Sequence, residues 1–182
     1  VREVLDEASS QLADPVAGTG YEPEVRASLL ATLGKTYTGL GFYQRARSHL
    51  EESLNLRKQL HGERHLDVAT AMVQLSDVLH AMDMDEQGES LARQALQIRL
   101  ELLPTDHHAI AIAQAAVGTH LWGLRRYAEA EPPLRDALRI LQLNAQRDPG
   151  EIADLLSVLG MVVHELGRYP EAESIPLESL RL

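Results

Sequence analysis

The chain has no cysteine among its 182 residues, which removes disulfides, thiolate metal sites and cysteine nucleophiles. Aromatic residues are scarce at 4%, and strand-favouring clusters of aromatic and β-branched residues are missing from long stretches. Positive charge is also in deficit: 17 Lys and Arg face 27 Asp and Glu, a formal charge of -10 that repels a phosphate backbone on average. Nucleic acid is therefore not an expected partner. The longest apolar stretch, Ala109 to Val117, is broken by Gln114 and falls short of the roughly 20 residues that cross a bilayer. No membrane partner is expected within this segment. Neither an initiator Met nor a signal peptide opens the chain at Val1, and Leu182 closes it on a repeat-like pattern, so it reads as an excerpt of something larger. The compartment stays open, with the cytoplasm favoured.

What is abundant is Leu and Ala, the composition of an all-α protein. The string Leu40-Gly41-Phe42-Tyr43-Gln44-Arg45-Ala46 returns as Leu124-Arg125-Arg126-Tyr127-Ala128-Glu129-Ala130 and as Leu166-Gly167-Arg168-Tyr169-Pro170-Glu171-Ala172. The separations, 84 and 42 residues, require a further copy at 82 to 88, where Met82-Asp83-Met84-Asp85-Glu86-Gln87-Gly88 stands in worn form. Before each turn the same phase gives Leu33-Gly34-x2-Tyr37, Leu75-Ser76-x2-Leu79, Val117-Gly118-x2-Leu121 and Leu159-Gly160-x2-Val163, spacings that mark one helix face. After it come Ala46, Gly88, Ala130 and Ala172, then Leu50, Ala92, Leu134 and Pro176, a second amphipathic helix.

Two antiparallel helices joined by a short turn satisfy this pattern, with small residues setting the packing distance. Each hairpin keeps an apolar side that only a neighbouring hairpin can bury, so the period predicts a solenoid. The expected organisation is a lead-in helix at 1–13, a linker loop at 14–22, and an array over 23–182 of about four repeats (23–64, 65–106, 107–148 and 149–182). The joints, rich in Gly, Pro and Asp, stop one helix and cap the next. The alternating stretch Ala109 to Ala113 is read as helix because its copies are in phase. Pro132-Pro133 predicts a late start or slight kink in one helix, and Pro176 an irregular final helix.

At Leu33-Gly34-x2-Tyr37 and Ala46 the sequence resembles the tetratricopeptide repeat (TPR) family, over about residues 23 to 182. The 42-residue period and the joint His65-Leu66-Asp67-Val68-Ala69 are similar to the longer repeats of kinesin light chains. The second repeat departs most, with Ser76, Asp83 and Gly88 where the pattern prefers Gly, Gly and Ala. The opening Val1-Arg2-Glu3-Val4-Leu5-Asp6-Glu7-Ala8, Leu12-Ala13-Asp14 and Pro23-Glu24-Val25-Arg26-Ala27 resembles the segment leading into such repeats behind the kinase domain of bacterial serine/threonine protein kinases, with Pro15 to Tyr21 as an insertion.

The resemblance implies a right-handed superhelical solenoid and a non-catalytic module that binds a peptide or protein in its concave groove, within a larger bacterial signalling protein. By phase, the groove residues are Lys35 and Thr38, Asp77 and His80, Thr119 and Trp122, and Met161 and His164. Trp122 is either a binding hot spot or a side chain packed on a neighbouring hairpin. Family members that grip a C-terminal carboxylate use Lys, Arg and Asn at positions matching Ala31/Lys35, Val73/Asp77 and Ala115/Thr119; only Lys35 qualifies, so an extended peptide with mixed apolar and polar or basic contacts is expected instead. Two other roles stay open: self-assembly through the array ends, and a regulatory or docking region of a protein kinase.

Catalytic readings fail on spacing. Gly34-Lys35-Thr36 matches the end of a phosphate-binding loop, but Leu29 stands where the upstream glycine is required. No Gly-x-Ser-x-Gly elbow occurs, and no catalytic residue or cofactor is assigned. His80 and His164 share one phase, but helix layers about 8–10 Å apart hold them beyond a shared metal bond of about 2 Å. His61, His65, His107 and His108 fall at joints, where capping or solvent exposure is expected, and no metal is assigned.

Overall fold

A computed structural model describes residues 2–13, 21–143 and 148–179. The expected linker at 14–22, with the Pro15 to Tyr21 insertion, falls almost wholly outside the described residues, as do Gln146-Arg147 of one joint. The described residues form helices α1 (Arg2–Ala13), α2 (Pro23–Gly39), α3 (Tyr43–His61), α4 (Leu66–Ala81), α5 (Asp85–Leu102), α6 (His108–Gly123), α7 (Tyr127–Leu143), α8 (Pro149–Glu165) and α9 (Tyr169–Ser179), with no strand among them. Helices pair as α2 with α3, α4 with α5, α6 with α7 and α8 with α9, and each hairpin packs on the next. The fold is an all-α solenoid.

The turns repeat one hydrogen-bond pattern in phase. The N–H groups of Phe42, Met84, Arg126 and Arg168 donate to the carbonyls of Tyr37, Leu79, Leu121 and Val163 at 2.9, 2.8, 2.8 and 3.1 Å. This bond closes a helix through one left-handed residue. That residue is Gly41 (φ 78°), Asp83 (φ 56°), Arg125 (φ 59°) and Gly167 (φ 78°), so two non-glycine residues carry a glycine's conformation. At the joints, side chains cap the next helix: His65 Nδ1 accepts from Asp67 N–H (3.2 Å), His107 Nδ1 from Ala109 N–H (3.1 Å) and Asp148 Oδ1 from Gly150 N–H (2.8 Å).

Small residues set the approach within each hairpin. A Cβ on Gly34 would lie 2.5 Å from Leu50 Cγ, and one on Gly118 would lie 2.4 Å from Leu134 Cγ. In the second repeat both partners differ: Ser76 replaces the glycine and Ala92 the leucine, and the Ser76 hydroxyl donates to the Val73 carbonyl at 2.8 Å. The gain in bulk on one helix is matched by a loss on the other.

Between repeats, the half-buried Arg57 and the buried Arg99 act as clasps. Arg57 donates to the Asp67 carbonyl (3.2 Å) and Arg99, one period later, to the Ala109 carbonyl (2.7 Å), tying α3 and α5 to the first turn of the next hairpin. Outside, Arg126 pairs with Glu89 (2.9 Å) and Arg168 with Glu131 (2.7 Å), again one period apart.

Of the late start or slight kink expected at Pro132 and Pro133, the late start does not occur: α7 begins at Tyr127 and runs through both prolines to Leu143. Ala130 N–H already bonds the Arg126 carbonyl at 3.0 Å, so the first turn closes before the prolines arrive. The carbonyls they leave unpaired, on Ala128 and Glu129, belong to exposed residues that water can reach. Helix α9 likewise passes through Pro176 to Ser179.

Candidate functional site

The first helices of the hairpins, α2, α4, α6 and α8, carry the eight groove residues expected from the sequence. Lys35 and Asp77 are exposed, while Thr38, His80, Thr119 and Trp122 are half-buried. Met161 and His164 are exposed. The Thr38 hydroxyl is spent on its own helix, donating to the Gly34 carbonyl at 2.8 Å.

These residues gather in two groups. Asp77 keeps solvent contact yet is crowded by protein, and this desolvation pushes its carboxyl up from 3.8 to about 6, against the opposing pull of His80, Lys35 and Arg99. Further along, Trp122, Met161 and His164 line a pocket of about 490 Å³ together with Ser157, Gly160, Ala172 and the carboxylates Glu165 and Glu173. His164 stacks edge-on against Tyr169 at 5.1 Å. Trp122 both packs against the core and lines this pocket. His80 links the groups, its ring 6.0 Å from that of Trp122. Thr38 and Thr119 do not line this pocket.

Sequence phase paired His80 with His164; the structure pairs His80 with His120 instead. Asp85 Oδ1 accepts from Nδ1–H of His80 at 2.7 Å and of His120 at 2.8 Å. His120 is 1% exposed and Asp85 9%. Burial is the largest influence on His120 and holds its pKa below the usual imidazole value despite the Asp85 contact. A Cβ on Gly88 would lie 2.1 Å from His120 Cε1, and one on Gly123 would lie 2.0 Å from Asp85 Oδ2. The signal was in the sequence: Asp85 stands where the other three repeats have Tyr43, Tyr127 and Tyr169, and Gly88 where they have alanine.

A second titratable cluster lies at the first joint. His61 and His65 stack at 4.3 Å, with His61 Nε2 3.0 Å from Glu24 and 3.8 Å from Asp67. His61 is exposed, and His65 and Asp67 are half-buried.

An all-α stack of helix hairpins with an open recess beside Trp122 defines a helical-repeat scaffold. The tetratricopeptide repeat family matches residues 25–101 and 74–142, and the chain belongs to that family. No curated protein matches the chain. Among solved structures it is similar to BtubC (BKLC) from P. vanneervenii, with 21% identity and a TM-score of 0.77 over 88% of this chain and 64% of that one. A kinesin-light-chain-type protein of Podosopora anserina with nearly identical TPR-like repeats gives 18% identity and a TM-score of 0.73, over 99% and 85%. A Rap protein complexed with Competence and Sporulation Factor gives 16% and 0.76, over 87% and 44%. The chain thus spans under two thirds of the first of these structures, and at such identities the likeness is one of fold. Among the described residues no helix is long and apolar enough to cross a membrane. The tetratricopeptide fold generally mediates protein–protein interaction and is typically a non-catalytic scaffold.

Proposed function

We propose that this chain docks an extended peptide segment of a partner protein along the concave face, with a large apolar side chain in the recess at Trp122 and a Lys or Arg beside Asp77. The observation that carries the reading is the recess: Trp122, Met161 and His164 come from two successive hairpins yet open on one cavity rimmed by Glu165 and Glu173. Apolar walls reward a buried anchor, and the acidic rim selects a neutral or basic neighbour. Asp77 adds to this preference, because a carboxyl held near 6 by crowding gains from a cation that stabilises its ionised form. Lys35 is the one basic groove residue among the eight, too few for a carboxylate grip.

Selection from a library of extended 8–12-residue peptides displayed on phage tests the reading. Enriched peptides should share a large apolar residue flanked by Lys or Arg, and Trp122→Ala should weaken them at least about tenfold without loss of helical circular dichroism, the scale of a hot-spot residue. Peptides that bind Trp122→Ala as tightly as the parent chain would refute the assignment.

A further inference from the structure

The geometry points to a divalent transition-metal site, of the zinc class, formed by His80 Nδ1, Asp85 Oδ1 and His120 Nδ1 at the joint between the second and third repeats. Three observations carry it.

First, the ligands are right in kind and number. Two imidazoles and one carboxylate are a borderline-hard set suited to Zn²⁺ and its neighbours, and three protein ligands leave a fourth position for water. The two Nδ1 atoms already converge on one carboxylate oxygen at 2.7 and 2.8 Å. A tetrahedral ion with bonds of about 2.0–2.1 Å holds its ligand atoms about 3.3 Å apart, so a spread of about 0.5 Å admits the metal. The rings stand at 85° to one another with centroids 5.7 Å apart, so they do not stack across the gap. On binding, each ring proton resides on Nε2 and frees the Nδ1 lone pair.

Second, the surrounding chain is shaped to this trio and to no hydrophobic joint. Asp85 replaces a tyrosine and Gly88 an alanine, while a side chain at Gly88 or Gly123 would strike His120 or Asp85. His120 itself stands where the second and fourth repeats have Val78 and Val162. These departures make physical sense together and none does alone.

Third, there is a way in. Asp85 also lines a recess of about 300 Å³ at the turn edge, with Asp83, Met84, Glu86 and Gly123, and His80 retains 32% of its side-chain exposure on the groove side. Asp83 and Glu86 line this recess and add negative charge at the entrance.

The chain contains a single tryptophan, and its ring lies 6.0 Å from His80, so it reports on the site. The 182-residue chain, stripped with chelator, is titrated with Zn²⁺ by calorimetry and with Co²⁺ by visible absorption and tryptophan emission. One saturable equivalent is expected, with Co²⁺ d–d bands of a four-coordinate ion and quenched Trp122 emission. Losing a ligand should cost more than the about 10–100-fold typical of outer-shell changes, both in His80→Ala, at a half-exposed position, and in the near-isosteric Asp85→Asn. Unchanged helical content and unfolding midpoint in His80→Ala separate lost ligation from lost fold. Absence of a saturable equivalent overturns the proposal. So does an equivalent that survives His80→Ala and vanishes in His61→Ala, which would place the metal at the His61–His65–Asp67 cluster.

Discussion

The substitution Gly88→Ala sets two physical arguments against each other. The family pattern prefers alanine here, and alanine gains about 1 kcal/mol over glycine within a helix. In this chain the new methyl carbon would sit 2.1 Å from His120 Cε1 and 2.6 Å from both ring nitrogens. His120 is 1% exposed, so its ring has nowhere to retreat without repacking the joint. Overpacking of a filled core costs about 1–3 kcal/mol. Displacing the ring also breaks its 2.8 Å bond to Asp85 and leaves a buried polar group unsatisfied, a further cost of about 1–3 kcal/mol. The low end of that sum, less the helix gain, leaves Gly88→Ala destabilising by at least about 1 kcal/mol, and the mid-range by about 3. For a chain of this size the mid-range value lowers Tm by about 6–12 °C. Urea and thermal unfolding followed by circular dichroism provide the assay. The double variant Gly88→Ala/His120→Val, which restores the residue types of an ordinary repeat, should recover more than half of the loss, a coupling of about 1 kcal/mol or more. If Gly88→Ala alone raises the unfolding midpoint, the close packing of His120 is wrong.

Two further outcomes follow from the turns and the groove. Arg125 holds a left-handed conformation (φ 59°) that costs a side-chain-bearing residue about 1–2 kcal/mol, so Arg125→Gly should stabilise the chain by about 0.5–1 kcal/mol after the extra flexibility of unfolded glycine is counted; an unfolding midpoint that falls would contradict it. The carboxyl of Asp77 binds its proton more tightly in the fold (about 6) than when unfolded (3.8), so its contribution to stability is complete below about pH 3.8 and is lost as pH rises through 6. Asp77→Asn should therefore raise the pH 7 stability slightly, by less than about 1 kcal/mol given groove water, and flatten the profile between pH 4 and 6, as pH-dependent melting would show.

The hairpin period, the glycines at 34 and 118 and the turn residues were legible because they depend on neighbours in sequence and on a spacing the chain repeats. The polar joint was not. Its three members lie 5 and 35 residues apart, spacings unrelated to the 42-residue period, so aligning copies by phase could only set His80 beside Trp122 and His164. Asp85 and Gly88 looked like decay of a pattern; they are the space and charge that His120 requires. Ser76 similarly made sense only beside Ala92, a compensation that no single position reveals. Pro132 and Pro133 do not delay α7, because their orphaned carbonyls fall on the exposed residues Ala128 and Glu129, a placement that sequence spacing does not reveal.

The docking of a peptide along the concave face is tested most directly by placing a photoreactive residue at the apolar anchor of a selected peptide and mapping the crosslinked positions by mass spectrometry. Adducts on Trp122, Met161 or neighbouring residues of α6 and α8 are the result expected from the recess. Adducts confined to α3, α5 or α7, the second helices of the hairpins, would contradict it.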